Sequence, residues 1–331
     1  MEEITTRSPL DLIDTSFENY VRRREATAAS HTVNGVPDYA FAMDYELRQK
    51  LMQIPHFYSL ARKITDSLTS RMQQIVNQDG VAVGPTQFPE IYQMGVDCAH
   101  KLGIGVPNMY IVNDNTMNAG AYSVDRASPL ITINSGIIER LTPGELKAVI
   151  AHECAHVHNE HYVLKCLVDA IMNSAGSLIP GGQLLISASN LALMNFWTRA
   201  GEITCDRAAM ICCENIQDAI NVNFKLLSGG LLNNSAEMDL DALREQMEEI
   251  FNSPTRILEL GQISVNNNGS ISAYLLDHPN SMRRVFADLE FAECEVFYSW
   301  RPDMKKPGAV IRSKKETDDR CRKLVNILQN K

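Results

Sequence analysis

Two histidines, His152 and His156, stand four residues apart, and Glu153 directly follows the first, in the pattern H-E-x-x-H. On an α-helix, residues i and i+4 project from the same face, so the two imidazoles would point the same way. Imidazoles at this spacing can hold one Zn²⁺ at about 2.0–2.1 Å from each nitrogen. Glu153 would then lie close enough to act as general base on a water molecule held there. The short pattern also occurs by chance, so a helix and a third ligand are needed to support this interpretation.

The residues before the motif favour such a helix. Thr142 and Glu145 have the T-x-x-E spacing of a capping box, and Pro143 suits the first helical turn. The apolar run that follows leads directly into the motif. The sequence therefore predicts that both histidines lie inside a helix.

A carboxylate pair further along the chain could complete the site. A catalytic zinc keeps three protein ligands and leaves one position open for water. Glu202 and Asp206 are four residues apart and therefore share a face of a second helix. Glu202 would be the third ligand, and Asp206 would accept a hydrogen bond from the other ring nitrogen of a liganding histidine. The alternative is a pair of surface carboxylates bound to Arg199 and Arg207, and we favour metal binding because of the upstream motif.

The ordered set of motifs resembles the gluzincin metallopeptidases that include the CAAX prenyl proteases and the HtpX heat-shock proteases. The resemblance covers residues 36–295. Beyond the metal motifs it rests on an N-A-x-A-like segment at 118–121, a strand and turn at 130–141, His278 and Pro279 with Arg284 six residues on, and an N-terminal helical segment at 44–55. It implies a zinc metalloendopeptidase that holds one Zn²⁺ per chain and acts on a peptide or protein substrate.

The same resemblance implies roles for residues outside the ligand set. His278 and Arg284 are the candidates for stabilising the oxyanion of the tetrahedral intermediate. The alternatives are a helix-start residue for His278 and a surface cation for Arg284. Asn118, Ala119 and Gly120 are the expected substrate-binding residues along the cleft. Asn118 has the alternative of a simple turn residue, because Asn tolerates the left-handed conformation.

The remaining histidines carry less information. His158 and His161 lie at other helical angles from the motif and are expected to be solvated or to lie behind the ligands. His31, His56 and His100 have no partner at ligand spacing, so no role is expected for them.

The chain has eight cysteines but no C-x-x-C pair. Without a secretion signal they are expected to be reduced and mostly buried thiols. Cys154 and Cys205 fall inside the two metal motifs, on helix faces expected to point away from the ligands. Because no two cysteines have ligand spacing, the sequence argues against a zinc site built from cysteines.

Length and charge restrict the class of protein. A chain of 331 residues can bury one large core, and a net charge of −9 argues against nucleic acid as the main partner. Basic residues concentrate after residue 300. The expectation is a solvated basic tail packing on an acidic body, and the alternative is contact with anionic lipid or an acidic partner.

A segment without charged side chains lies between the metal motifs, at residues 170–198. The Pro-Gly-Gly sequence at 180–182 divides it into pieces of about fifteen residues, shorter than the roughly twenty needed to span a membrane. It predicts a helical hairpin at about 163–197 that is buried in protein or rests on a membrane surface. The N-terminus lacks the apolar segment of a signal peptide. We therefore expect a cytoplasmic protein, with a membrane-peripheral location as the alternative.

The predicted fold is α+β and mainly helical: a zincin-type metallopeptidase domain whose small β-sheet edges the active-site cleft. Such an edge could bind an extended peptide by strand addition. The expected organisation is an N-terminal arm at 1–35, the metallopeptidase domain at 36–300 and the basic tail at 301–331. Its predicted segments are helices at 44–77, 86–102 and 239–250, loops at 81–85 and 266–269, and strands at 109–113, 119–124 and 130–134.

Three functional hypotheses follow. The first is a soluble zinc metalloendopeptidase, which we favour. The second is a membrane-associated protease of the same chemistry, with the uncharged hairpin as its anchor. The third is a non-catalytic or latent binding protein that retains the zinc site. The presence of Glu153 beside an intact ligand set counts against the third hypothesis.

Overall fold

The computed structural model describes residues 31–33, 35–123, 128–172, 185, 187–227, 242, 245 and 281–325. The described part is α+β and mainly helical, as predicted. Several predictions lie outside the described residues: most of the arm at 1–35, the loop at 266–269, His278 with Pro279, and all but two positions of the helix at 239–250.

The helices of the described part follow the predicted order. They are α1 Ala42–Met52, α2 Phe57–Asp79, α3 Pro89–Leu102, α4 Ser135–Arg140, α5 Pro143–His158, α6 His161–Met172, α7 Ala188–Cys212, α8 Ile216–Leu227, α9 Ser281–Phe291, α10 Glu295–Trp300 and α11 Lys314–Val325, with a 3₁₀ turn at Pro302–Met304. The helical segment predicted at 44–77 consists of two helices. Pro55 cannot continue a helix, and His56 turns the chain through a left-handed conformation with φ of 62°.

Two sheets are present in the described part. A short hairpin joins β1 Thr32–Val33 to β2 Val36–Pro37, and a four-stranded sheet contains β3 Gly80–Val83, β4 Asn108–Val112, β5 Ala119–Tyr122 and β6 Leu130–Asn134. Its order is β3-β4-β6-β5, so β5 is an edge strand. Only β4 and β6 are parallel. The three predicted strands are confirmed within two residues at each end.

The loop predicted at 81–85 is wrong, because most of it forms β3. Val81 pairs with Ile111 and Val83 with Met109 on the antiparallel strand β4. β-branched residues favour such pairing. The chain leaves the strand only at Gly84.

Helix α5, which carries the H-E-x-x-H motif, lies at the centre of the largest apolar cluster. Ile150, Ala151 and Cys154 of this helix are fully buried, together with Ile131 and Ile133 of the sheet. Helix α5 also packs closely against α7 and α3. Because it is packed on several sides, its side chains are held in fixed directions.

A second apolar cluster joins α1, α2, α6 and α7, with Leu167 and Trp197 buried at its centre. Helix α6 and the first half of α7 are the described limbs of the predicted uncharged hairpin. Helix α6 is largely buried in protein, whereas most described residues in the first half of α7 are half-buried. The turn of the hairpin lies outside the described residues. Among the helices that the structure describes, none combines the length and apolar character needed to span a membrane.

The basic tail packs on acidic residues of the body, as expected. Arg320 binds Glu290 and Arg322 binds Glu46. However, the inner face of α11 is buried rather than solvated, and Asp318 on this face is 4% exposed. Its carboxylate lies 2.7 Å from the guanidinium of a buried arginine on α7, which needs a counter-charge.

Candidate metal centre

The capping box at the start of α5 is formed as predicted. The backbone N–H of Glu145 donates to Oγ1 of Thr142 at 3.3 Å, and the backbone N–H of Thr142 donates to Oε2 of Glu145 at 2.8 Å. The same carboxylate oxygen accepts from Nζ of Lys225 at 2.7 Å. The helix runs from Pro143 to His158, so the H-E-x-x-H motif lies within it, toward its C-terminal end.

The two histidines of the motif face the carboxylate of Glu202 on α7. Nε2 of His152 lies 3.4 Å from Oε2 of Glu202, and Nε2 of His156 lies 3.6 Å from Oε1. Two ligands at 2.0–2.1 Å from a tetrahedral ion are about 3.3 Å apart. All three side chains are buried. The spacing and chemistry of these donors therefore suit an ion such as Zn²⁺.

Cys205 is a competing third donor. Its Sγ and ring nitrogens of His152 and His156 all lie within 4.8 Å of one another. The expectation that Cys205 points away from the ligands is therefore wrong, because Cys205 follows Glu202 by three residues and shares its helix face.

Geometry and charge nevertheless favour Glu202 over Cys205. The sulfur of Cys205 lies 3.6 Å from Nδ1 of His161, and this nitrogen lies next to Nδ1 of His156. Glu202, by contrast, faces the Nε2 atoms of both motif histidines. Burial and the charge of Glu202 raise the pKa of Cys205 well above its ordinary value.

Asp206 lies beside Nδ1 of His152, the ring nitrogen that does not face Glu202. Its Oδ1 is 2.9 Å from Nδ1 of His152, which donates the hydrogen bond when the metal-binding nitrogen is Nε2. Burial alone would lower the pKa of His152, but hydrogen bonds to Asp206 and Glu202 raise it to about 9 in the metal-free protein.

Arg284 on α9 contacts both carboxylates of α7. Its Nε and Nη2 each donate to Asp206 at 2.6 Å, and its Nη1 lies 3.2 Å from Oε2 of Glu202. Burial would raise the pKa of Asp206, but the charge of Arg284 and its hydrogen bonds lower it. These contacts favour a role in positioning the carboxylates, and the expected oxyanion role of Arg284 stays a prediction.

The alternative pairing of Glu202 and Asp206 with Arg207 is wrong. Arg207 is bound instead to Asp318 at 2.7 Å and to the backbone oxygen of Tyr39 at 3.2 Å. The carboxylate pair is buried rather than at the surface, and Arg284 supplies its counter-charge.

His161 lies behind His156, one of the two places expected for it. Its Nδ1 is 3.0 Å from Nδ1 of His156, and its Nε2 is 2.9 Å from Oδ2 of Asp44. Asp44 was not singled out from the sequence, because no spacing signal connects residues 117 positions apart. By contrast, His158 is half-buried and hydrogen-bonds the hydroxyl of Tyr39 at 3.0 Å.

A cavity of about 410 Å³, including its open mouth, reaches His152 and Glu153. Asn118 and Ala119 form part of its wall, and Ala119 begins the edge strand β5. Gly120 follows in the same strand. The residues predicted to bind substrate are therefore brought beside the motif, and Glu153 lines the same cavity. All eight cysteines are free and buried, as expected.

Three relatives with curated names are named as proteases or metallopeptidases. The chain is 27% identical over 210 residues to the plastoglobule-localized metallopeptidase 48 of Arabidopsis thaliana, which covers 63% of this chain and 60% of the relative. It is 31% identical over 107 residues to the protease HtpX of Legionella pneumophila, covering 32% of this chain and 34% of the relative. It is 38% identical over 99 residues to the HtpX homolog of Helicobacter pylori, covering 28% and 31%.

The matched segments thus span 60% of the plant relative and about a third of the two bacterial ones. No solved structure is significantly similar to the chain. The model of peptidase family M48 matches residues 85–290, a segment that contains both helices of the metal centre. Because this match extends over more than half of its residues, the chain belongs to peptidase family M48.

Proposed function

We propose that the chain is a zinc metalloendopeptidase of the gluzincin type that hydrolyses peptide bonds in peptides or proteins. The observation that carries the proposal is the Glu202 carboxylate facing Nε2 of both His152 and His156, with Glu153 in the adjoining cavity. Two imidazoles and one carboxylate are a known catalytic zinc set that leaves a position open. Membership of family M48 and the protease names of the relatives support the same activity.

In the proposed reaction, one Zn²⁺ per chain would polarise the scissile carbonyl and lower the pKa of water to about 7. Glu153 would take the proton of the attacking water and pass it to the leaving amine. Asp206 would hold the Nδ1–H of His152, and Arg284 would hold the carboxylate of Asp206. Asp206 would thereby keep the proton of His152 on Nδ1 and leave Nε2 free for the metal, and Arg284 would keep Asp206 ionised and oriented.

The substrate would lie along β5. An edge strand can bind an extended peptide chain by strand addition, which would place the peptide beside Ala119 and Gly120. Asn118 would bind substrate backbone at the cavity wall. His278, named by family resemblance as an oxyanion donor, would complete the site from a segment outside the described residues.

The test compares the wild-type protein with Glu153→Gln, a variant of nearly the same shape. We expect about one zinc per chain in both proteins, and cleavage of casein by the wild type only. A chelator should abolish the cleavage, and added Zn²⁺ should restore it. Absence of zinc from both proteins would refute the site assignment. Zinc without cleavage in the wild type would favour the latent or non-catalytic alternative instead.

The cytoplasmic location expected from the sequence and its membrane-associated alternative are both proposals. The plant relative is named for plastoglobules, which describes that protein only. Fractionation of cells separates the two hypotheses. Recovery of the protein in the soluble fraction without detergent supports a cytoplasmic location. Release of the protein from membranes only by high salt or detergent supports the membrane-associated alternative.

A further inference from the structure

A chain of hydrogen bonds runs from His156 away from the cleft to α1. Nδ1 of His156 lies 3.0 Å from Nδ1 of His161, and Nε2 of His161 lies 2.9 Å from Oδ2 of Asp44. The hydroxyl of Thr204 donates to the same carboxylate oxygen at 2.7 Å. His161, Asp44 and Thr204 are all buried, so water does not compete for these contacts.

Metal binding through Nε2 of His156 would fix the tautomers along this chain. A histidine that binds metal through Nε2 carries its proton on Nδ1, so His156 must donate to His161. His161 then accepts at Nδ1 and carries its own proton on Nε2, from which it donates to Asp44. Since an ionised carboxylate only accepts, Asp44 determines the direction of both bonds.

The environment of Asp44 suits the acceptor role. Burial alone would raise the pKa of Asp44, but His161 and the hydrogen bonds from His161 and Thr204 lower it. Thr204 is itself oriented, because its Oγ1 accepts from the backbone N–H of Phe41 at 3.2 Å. Asp44 is therefore held by α7 as well as by its own helix α1.

The two histidines of the motif are thus supported differently. Asp206 accepts directly from His152, whereas Asp44 reaches His156 only through His161. Asp44 also precedes the segment that the family model matches, residues 85–290. The support of His156 therefore depends on a helix outside that segment.

We propose that His161 and Asp44 are positioning residues of the metal centre. They hold Nε2 of His156 toward Glu202 and thereby set the affinity for the metal. This inference rests on the proposed function only in using His152, His156 and Glu202 as the ligand set. Loss of an outer partner of a liganding histidine typically costs about 10–100-fold in metal affinity.

The experiment measures the zinc dissociation constant of the full-length chain by competition with a chromophoric chelator. His161→Ala and Asp44→Ala should each weaken zinc binding by about 10–100-fold. His161→Gln, which can still accept from His156 and donate to Asp44, should recover part of the loss. The matched control is His158→Ala, a histidine of the same segment that hydrogen-bonds Tyr39 instead.

A second readout separates positioning from a general loss of stability. In the cobalt-substituted protein, His161→Ala should change the visible absorption of the metal, whereas His158→Ala should leave it unchanged. Wild-type zinc affinity together with a wild-type cobalt spectrum in His161→Ala would overturn the inference. Should the alanine variants fail to fold, His161→Phe decides. It keeps an aromatic ring at this position but can neither accept from His156 nor donate to Asp44, so wild-type zinc affinity in this variant contradicts a positioning role.

Failure of this inference is distinguishable from failure of the proposed function. If the wild type holds one zinc that Glu202→Ala loses, the ligand set stands, and an unchanged affinity in the His161 and Asp44 variants refutes only the positioning role. If the wild type binds no zinc, the ligand set itself is wrong and the inference falls with it.

Discussion

Arg284 on α9 binds the carboxylate of Asp206 on α7 through two hydrogen bonds of 2.6 Å each. This is the fork geometry in which a guanidinium recognises a carboxylate most strongly. Glu202 lies one helical turn before Asp206, and it too is within 3.2 Å of Arg284. Without the arginine, two buried carboxylates would face each other across one turn and one of them would tend to protonate.

The first prediction concerns Arg284. Arg284→Met should weaken zinc binding by about 10–100-fold, because Asp206 and Glu202 lose the group that orients them. It should also lower the free energy of unfolding by about 3–5 kcal/mol, since a buried pair loses one partner. Arg284→Lys keeps the positive charge but cannot form two parallel hydrogen bonds to Asp206. Its zinc affinity and its free energy of unfolding should therefore lie between those of the wild type and Arg284→Met. Chelator competition and urea denaturation measure both quantities.

The control is Arg283→Met, which removes the neighbouring arginine that donates to the backbone oxygen of Leu324. Its zinc affinity should stay at the wild-type value. If Arg284→Met instead loses turnover at saturating substrate while its zinc affinity is unchanged, the oxyanion role of Arg284 is supported.

The second prediction separates the two candidate third ligands. Glu202→Ala should lose zinc, because the atoms facing Nε2 of both histidines are removed. Cys205→Ser should keep about one zinc per chain, because its sulfur lies toward His161. Metal analysis of dialysed proteins gives the answer. The reverse pattern, with zinc lost in Cys205→Ser and kept in Glu202→Ala, would contradict our choice of Glu202.

The relationships between site residues on the same helix could be predicted from the sequence. The spacing of His152 and His156 places them on one helix face, and Thr142 marks where that helix begins. Glu202 and Asp206 follow the same rule on α7. Each of these relationships spans a few residues, so helical geometry alone fixes it.

The parts that could not be predicted depend on contacts between distant residues. Asp44 on α1 contacts His161 at the start of α6 through the tertiary fold, and no pattern in the sequence encodes that contact. Likewise, Asp318 is buried because Arg207 lies opposite it in the fold. The strand β3 was missed because Gly84 and Pro85 are strong turn signals, and its pairing with β4 becomes visible only in the sheet.

The third prediction concerns the start of α5. Thr142→Ala removes one half of the capping box and should lower the free energy of unfolding by about 1 kcal/mol. Zinc affinity should be unchanged, because Glu145 still binds Lys225. Glu145→Ala should cost about 3–5 kcal/mol, because it also leaves that buried lysine without this carboxylate. Urea denaturation of the metal-free proteins measures both, and equal losses in the two variants would contradict the argument.

The fourth prediction is a dependence of stability on pH that arises from Asp318. Its carboxylate lies 2.7 Å from Arg207, and both side chains are buried. Burial alone would raise the pKa of Asp318, but Arg207 and Lys314 lower it below its ordinary value. A carboxyl group whose pKa is lower in the folded state stabilises the protein above its unfolded pKa, about 3.9. That contribution is lost as the pH falls from there through the folded pKa.

Asp318→Asn should therefore lower the free energy of unfolding by about 3–5 kcal/mol at pH 7. The difference from wild type should narrow below about pH 4, where Asp318 of the unfolded wild-type chain takes up a proton before Asp318 of the folded protein does. Urea denaturation of the metal-free proteins at several pH values between 7 and 3 measures it. Asp303→Asn is the control, because the pair of Asp303 with Arg301 is exposed on the aspartate side and contributes little. A difference between Asp318→Asn and wild type that stays constant across this range would show that the lowered pKa of Asp318 does not stabilise the fold.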